Sequence, residues 1–339
     1  KLTSEERIKL GKRPTENSEA YRLYLKGRYF WNQRGKALLK ATEYWEQARL
    51  ADPQFALAYA GLADSYSQLG YDGFLAPRDT YPKATAAARR ALELDASLGE
   101  VHASLGFIHF SYDWDMAMAR REYLRAIQLA PNCPPAHYGY AVTFSVTGEW
   151  DRSFEEIKKS IELDPLSPCT NAQMGWALLR HGEYARSIEV IRKAIELTPT
   201  LAIARMLLGH ALIKTSRFPE AIAELQEAVK ISEGDAWVRG SLAYAYSLSG
   251  KKDLASKLLE ELRWNAVPSG YRRSMPIALA YTGLGEKDRA FEFLDKAYEE
   301  RDSCLALVQQ DHLFDTLHSD PRWAALVGRI GVAPEAPAR

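Results

Sequence analysis

Cysteine is scarce in this chain of 339 residues, and the three present, Cys133, Cys169 and Cys304, are far apart with no CxxC pair among them. A disulfide-stapled scaffold is excluded, and a reducing cytoplasm is the expected location. No apolar run approaches the length needed to cross a bilayer, and the N-terminal KLTSEERIKLGKRP has no apolar stretch of the signal-peptide kind. No membrane partner is expected. Excess charge is missing as well: 44 Lys plus Arg balance 44 Asp plus Glu, which removes the broad basic field of a protein that grips nucleic acid. No nucleic-acid partner is expected either. Alternating runs of strand length are absent. The chain also starts at Lys1 without a methionine, which suggests a segment whose upstream neighbour is missing.

Catalytic signatures are missing in the same way. The nearest approach to a phosphate-binding GxxxxGK loop, at Gly250 and Lys251, has Ala245 in place of the first glycine and Lys252 where Ser or Thr is needed. There is no GxGxxG, HRD, DFG or HExxH. The seven histidines include no pair at the four-residue spacing of a helical metal face, so no metal and no cofactor is expected. Asp311, His312 and Asp315 read as the solvated polar face of a terminal cap. The chain reads as no enzyme.

What is present is a period. Small residues recur at Ala141, Gly175, Gly209 and Ala243, each 34 positions after the last. Each is preceded by a large apolar residue and followed by another three positions on, which traces one helix stripe. Twelve residues beyond each, a second stripe begins, as in Ser187, Ile191 and Ala194. Two antiparallel helices per unit follow, with glycine turns at Gly148 and Gly182 and with Pro165 and Pro199 ending units. A small residue lets the two helices of a unit approach, and stacking the next unit completes the core.

The frame extends through Gly27, Ala63 and Gly106 upstream and Ala278 downstream, giving eight repeats at about 20–55, 56–98, 99–133, 134–167, 168–201, 202–235, 236–270 and 271–302. Three irregularities interrupt it: two extra residues around Asn32 to Leu38, about nine within 70–82, and one near Asp113 to Met116. Insertions of this kind belong in turns. Residues 1–19 read as an N-terminal helix and linker, with capping-box spacing at Thr3 and Glu6. Residues 303–332 read as a cap covering the last repeat, and 333–339 as a disordered tail.

The 34-residue frame, with phrases such as AIELTP and SIELDP, resembles the tetratricopeptide repeat (TPR) family over residues 20–302. The resemblance implies an all-α, right-handed superhelical solenoid of about eight helix-turn-helix repeats with terminal capping helices. The flanks RPTENSEAYRLYLKGRYFWNQR and HLFDTLHSDPRWAALVGRIG look like the borders of TPR regions in multidomain bacterial signalling proteins, after a kinase, winged-helix regulator or nucleotidyl cyclase domain. A regulatory scaffold that binds a protein or peptide segment is implied.

In TPR arrays the inner wall is lined by steps 2, 5, 9 and 12 of each first helix. Here that wall presents Tyr24, Arg28 and Trp31, then Asp64, then Phe107 and Phe110, then Tyr138 and Val142. It continues with Trp176, Leu179 and Arg180, then Met206, His210 and Lys214, and ends with Trp237 and Tyr244. Rings interleaved with a few cations are the composition of binding hot spots, although several of these rings can equally pack between adjacent first helices. The Lys and Asn clamp that grips chaperone C-termini in some TPR domains is absent, so an apolar helix or extended segment is the expected ligand. Two other readings stay open: a self-association module forming homo-oligomers, and a small-molecule sensor.

Overall fold

The computed structural model describes residues 14–264 and 273–331, with all side chains among them save those at 168 and 169. Among the described residues all regular structure is helical. Eight pairs succeed one another: α1 (Ser18–Gln33) with α2 (Ala37–Ala51), α3 (Ala56–Tyr71) with α4 (Pro77–Leu94), α5 (Gly99–Ile108) with α6 (Met116–Leu129), and α7 (Pro134–Val146) with α8 (Trp150–Leu163). They continue with α9 (Pro168–His181) and α10 (Tyr184–Leu197), α11 (Ala202–Lys214) and α12 (Phe218–Ile231), α13 (Ala236–Leu248) and α14 (Lys252–Trp264), and α15 (Ser274–Leu284) and α16 (Lys287–Glu300). Two 3-10 segments, Ser303–Gln310 and His312–Leu317, lead to a last helix, α17 (Pro321–Ile330). The first helices stand side by side, each against its own second helix and its neighbouring first helices, and the result is a TPR solenoid of about eight repeats. The N-terminal helix expected around Thr3 and the tail at 333–339 lie outside the described residues.

The helix ends follow from local chemistry. Asn17 caps α1 by accepting from the Glu19 and Ala20 amides, and Asp235 caps α13 through the Trp237 and Val238 amides. Proline opens α4, α7, α9 and α17, where its missing N–H costs nothing. Gly182, at φ 90°, turns the chain out of α9.

The small residues sit where helices meet. Gly27, Ala63, Gly106, Ala141, Gly175, Gly209, Ala243 and Ala278 are all buried. A Cβ built on Gly175 would land on Ile191, one on Gly209 would come 2.6 Å from Leu225, and one on Gly106 2.9 Å from the Tyr123 ring. Large rings of the second helices are clasped between consecutive first helices: Trp45 fills the space between Gly27 and Gly61, and Tyr123 that between Gly106 and Gly139. Such contacts leave no room for a side chain.

The three breaks in the period all meet the far end of the array. Lys36, in the first, pairs with Glu233 at 3.0 Å. Within the second, Arg273 reaches the Asp72 carbonyl and lies against Gly73, while the Tyr81 hydroxyl shares a 2.9 Å hydrogen bond with Ser303. The third is absorbed as a π-turn over His109–Asp113, the form a helix takes when it gains one residue, and the following Trp114 stacks on Tyr298 and under Arg301. The insertions therefore close the superhelix on itself. They are contact surfaces rather than slack.

Candidate functional site: an inner wall in two tiers

Residues 303–332 divide into parts with different roles. Helix α17 lies against α16, joined by Arg322 to Asp288 at 2.9 Å, by Arg329 to Asp295 at 2.6 Å and by Arg329 over the Tyr298 ring. Ser303–Leu317 instead runs back along the inner wall, touching α3, the π-turn, α7 and α15. Its carboxamide of Gln310 donates to the Val146 carbonyl at 2.6 Å, His312 Nε2 meets the Arg180 carbonyl at 3.0 Å, and Lys214 Nζ donates to the His312 carbonyl and to Asp315. Its apolar side chains, Leu305, Ala306, Val308, Phe314 and Leu317, are fully enclosed. The Asp311, His312 and Asp315 group is thus a clasp between this segment and the wall, not a solvated cap face. Apolar positions facing inward gave the segment something to cover.

The wall residues sort accordingly. An upper tier of wall residues, Phe110, Val142, Leu179, Arg180, Met206, His210 and Tyr244, is buried, and the Arg180 carbonyl in it meets His312 of the returning segment. A lower tier is less covered: Arg28 is exposed, and Tyr24, Trp31, Tyr138 and Trp237 are half-buried, as are Phe107, Trp176 and Lys214. The wall has a filled upper tier and an open lower tier.

Arg180 shows the difference from expectation most clearly. At 6% exposure it is not a groove-facing cation; its guanidinium hydrogen-bonds Ser145 and lies near the rings of Trp176 and Trp150. Burial lowers its pKa, opposed by Tyr138, Tyr71 and Asp311. Burial pushes the Asp311 carboxyl up to about 6, against the Leu313 amide and Arg180, which pull it down. His210 is driven down to about 4 by burial alone, with Nε2 2.7 Å from the Ser241 hydroxyl. Asp64, in the lower tier, bonds Ser104 and is also raised to about 6 by burial.

Among the described residues no group of three His, Cys, Asp or Glu side chains could hold a metal ion. Burial raises the Cys304 thiol to about 12 and also raises that of Cys133, the opposite of an activated nucleophile. No described helix is long and apolar enough to cross a membrane. Ser303, Gln310, His312 and Arg273 are wall contacts that the repeat pattern does not mark, since they lie outside its stripes.

Residues 173–236 match the tetratricopeptide repeat family model. No curated protein matches in sequence. Among solved structures the chain is similar to the human IFIT1 dimer with m7Gppp-AAAA (16% identity, 83% of this chain and 72% of that one, TM-score 0.61). It is similar also to Cut9 in the APC/C heterotetramer Cut9–Hcn1 (17%, 92% and 54%, TM-score 0.59) and to yeast Tom70 (14%, 93% and 68%, TM-score 0.54). The chain spans about half the length of the Cut9 structure it matches. At these identities the likeness is one of fold, and the stretch that matches the family model lies within a run of eight helix pairs of the same form.

Proposed function

We propose that this chain is a non-catalytic protein- or peptide-binding scaffold whose recognition surface is the open lower tier of the inner wall. One observation supports the reading: the same wall already holds a polypeptide segment in two 3-10 turns, its own Ser303–Leu317, through main-chain and side-chain hydrogen bonds from successive first helices. A wall that binds a non-α-helical segment in cis has the chemistry to bind one in trans. The lower tier offers Tyr24, Arg28, Trp31, Tyr138, Trp176 and Trp237, rings with a cation beside them. The upper-tier residues, Val142, Leu179, Arg180, Met206, His210 and Tyr244 with Phe107 and Phe110, shape the floor beneath it, and Lys214 ties that floor to the segment.

The setting proposed is the regulatory TPR portion of a larger bacterial signalling protein in the cytoplasm, supported by the resemblance of both flanks. The domain type encoded upstream of Lys1 tests that part. For the site, a photo-crosslinking residue at Tyr138 is expected to trap a partner in cells, and one at Arg192 on the outer face is not. Trapping at Arg192 alone would place the partner on the convex side.

A further inference from the structure

The first repeat carries a surface that differs from the groove. Residues 18–51 hold seven basic residues (Arg22, Lys26, Arg28, Arg34, Lys36, Lys40, Arg49) against three acidic (Glu19, Glu43, Glu46), within a chain of zero net charge. On the outward side of α1 and α2 a ladder of rings runs from Tyr29 to Phe30 at 5.2 Å and from Phe30 to Tyr44 at 5.4 Å. Lys26 sits 5.3 Å over Tyr44 and Lys40 5.4 Å over Phe30, and no carboxylate forms an ion pair with either among the described residues. Beside them Tyr29 and Leu25 are 64% and 48% exposed. Leu25 and Tyr29 are four apart, hence on one helix face.

In every later repeat the corresponding side of a first helix meets the second helix of the repeat before it, as α3 meets α2 and α12 meets α13. α1 has no described helix in that place. We propose that this end surface docks an amphipathic helix of a partner protein that is acidic on the flank of its apolar face, lying where a preceding second helix would lie. Leu25 and Tyr29 take the apolar face, and carboxylates exchange the cation–ring contacts of Lys26 and Lys40 for ion pairs. The exposed aliphatic Leu25 favours a helix over a nucleic-acid strand, whose bases need only rings. Residues 1–13 fit less well, because Lys1, Arg7, Lys9, Lys12 and Arg13 outnumber Glu5 and Glu6. The site is distinct from the groove and stands if the groove proves unused.

The test uses the full chain and a fluorescein-labelled peptide with the sequence of Phe218–Ile231, itself a second helix, with Gln226 and Lys230 changed to Glu. Anisotropy should show binding that weakens as salt rises, that is lost when the added Glu residues are Lys instead, and that falls about tenfold in Lys26→Glu/Lys40→Glu. Leu25→Ala should weaken it without altering the salt slope, and Trp237→Ala in the groove should leave it unchanged. The proposal is overturned by any of four results: no binding by the acidic peptide; binding equal in the charge-reversed chain; binding that appears only after residues 1–13 are deleted, which makes those residues the natural occupant; or tighter, Lys26- and Lys40-dependent binding of a labelled oligothymidine. A monomer–dimer shift abolished by the charge reversal, without peptide binding, would assign the surface to a second copy.

Discussion

The two tiers of the inner wall are made by the same helices, yet one has become core and the other has stayed surface. In the upper tier the wall positions are apolar apart from Arg180 and His210, and the returning segment brings its own enclosed Leu305, Val308 and Phe314 to that side. In the lower tier Arg28 is exposed and the rings are half-buried, Trp31 with Arg34 over it and Trp237 with Arg273. A solenoid repeat gives every first helix the same inward direction; what occupies that direction is decided by chain beyond the repeats. The upper tier should therefore answer to stability measurements and the lower tier to binding measurements.

The sharpest way to break that division is Phe314→Ala. The ring is fully enclosed, so its removal should cost about 3–5 kcal/mol in denaturant unfolding. Trp237→Ala, in the half-buried lower tier, should cost clearly less despite the larger ring. Equal losses would mean that both tiers are core. Next in size is Gly175→Leu, where the new side chain collides with Ile191; overpacking should destabilise by about 1–3 kcal/mol. Glu189→Gln, on the exposed face of α10, should stay within about 0.5 kcal/mol.

The repeats were legible because period and packing coincide: a Gly or Ala every 34 residues is what a Trp45 or Tyr123 ring requires of the helices beside it. The partner glycines Gly61 and Gly139 were not singled out, because they belong to the next repeat's frame and no period links them to the ring they accommodate. The wall residues could be named from the frame, but their cover could not. Ser303–Leu317 is 3-10 and has no 3.6-residue stripe to show which way it turns. The surviving signal was the set of insertions at 32–38, 70–82 and 113–116. Each extends a turn to the place where the superhelix closes.

Acidity tests the burial of the upper tier more gently. Asp311 has its folded pKa raised to about 6 from 3.8 by burial, so its stabilising share is complete below the lower value and is lost as pH rises through the upper one. His210, lowered to about 4 from 6.5, acts in the opposite sense: its share is lost as pH falls below its ordinary value. Between about pH 4 and pH 7 the unfolding free energy of Asp311→Asn relative to the parent should therefore move in the variant's favour as pH rises. That of His210→Gln should move in the variant's favour as pH falls. Parallel pH profiles for either variant and the parent would show that its side chain is not buried in solution as it is in the structure.

The smallest expected effect tests how the segment is held. Lys214 is a half-buried cation whose ammonium reaches the His312 carbonyl at 3.0 Å and the Asp315 carboxylate at 2.7 Å, and Asp315 is itself exposed. An ion pair so open to solvent contributes little, so Lys214→Met should lower global stability by about 1 kcal/mol or less. Its local effect should be larger than its global one. The amides of 312–318 should exchange faster with solvent, since the clasp is their link to α11, while those of Leu305–Val308, enclosed by apolar contacts, should keep the parent rate. Faster exchange across both stretches would mean that the segment opens as one unit, and the lower tier alone could then no longer be treated as the free surface.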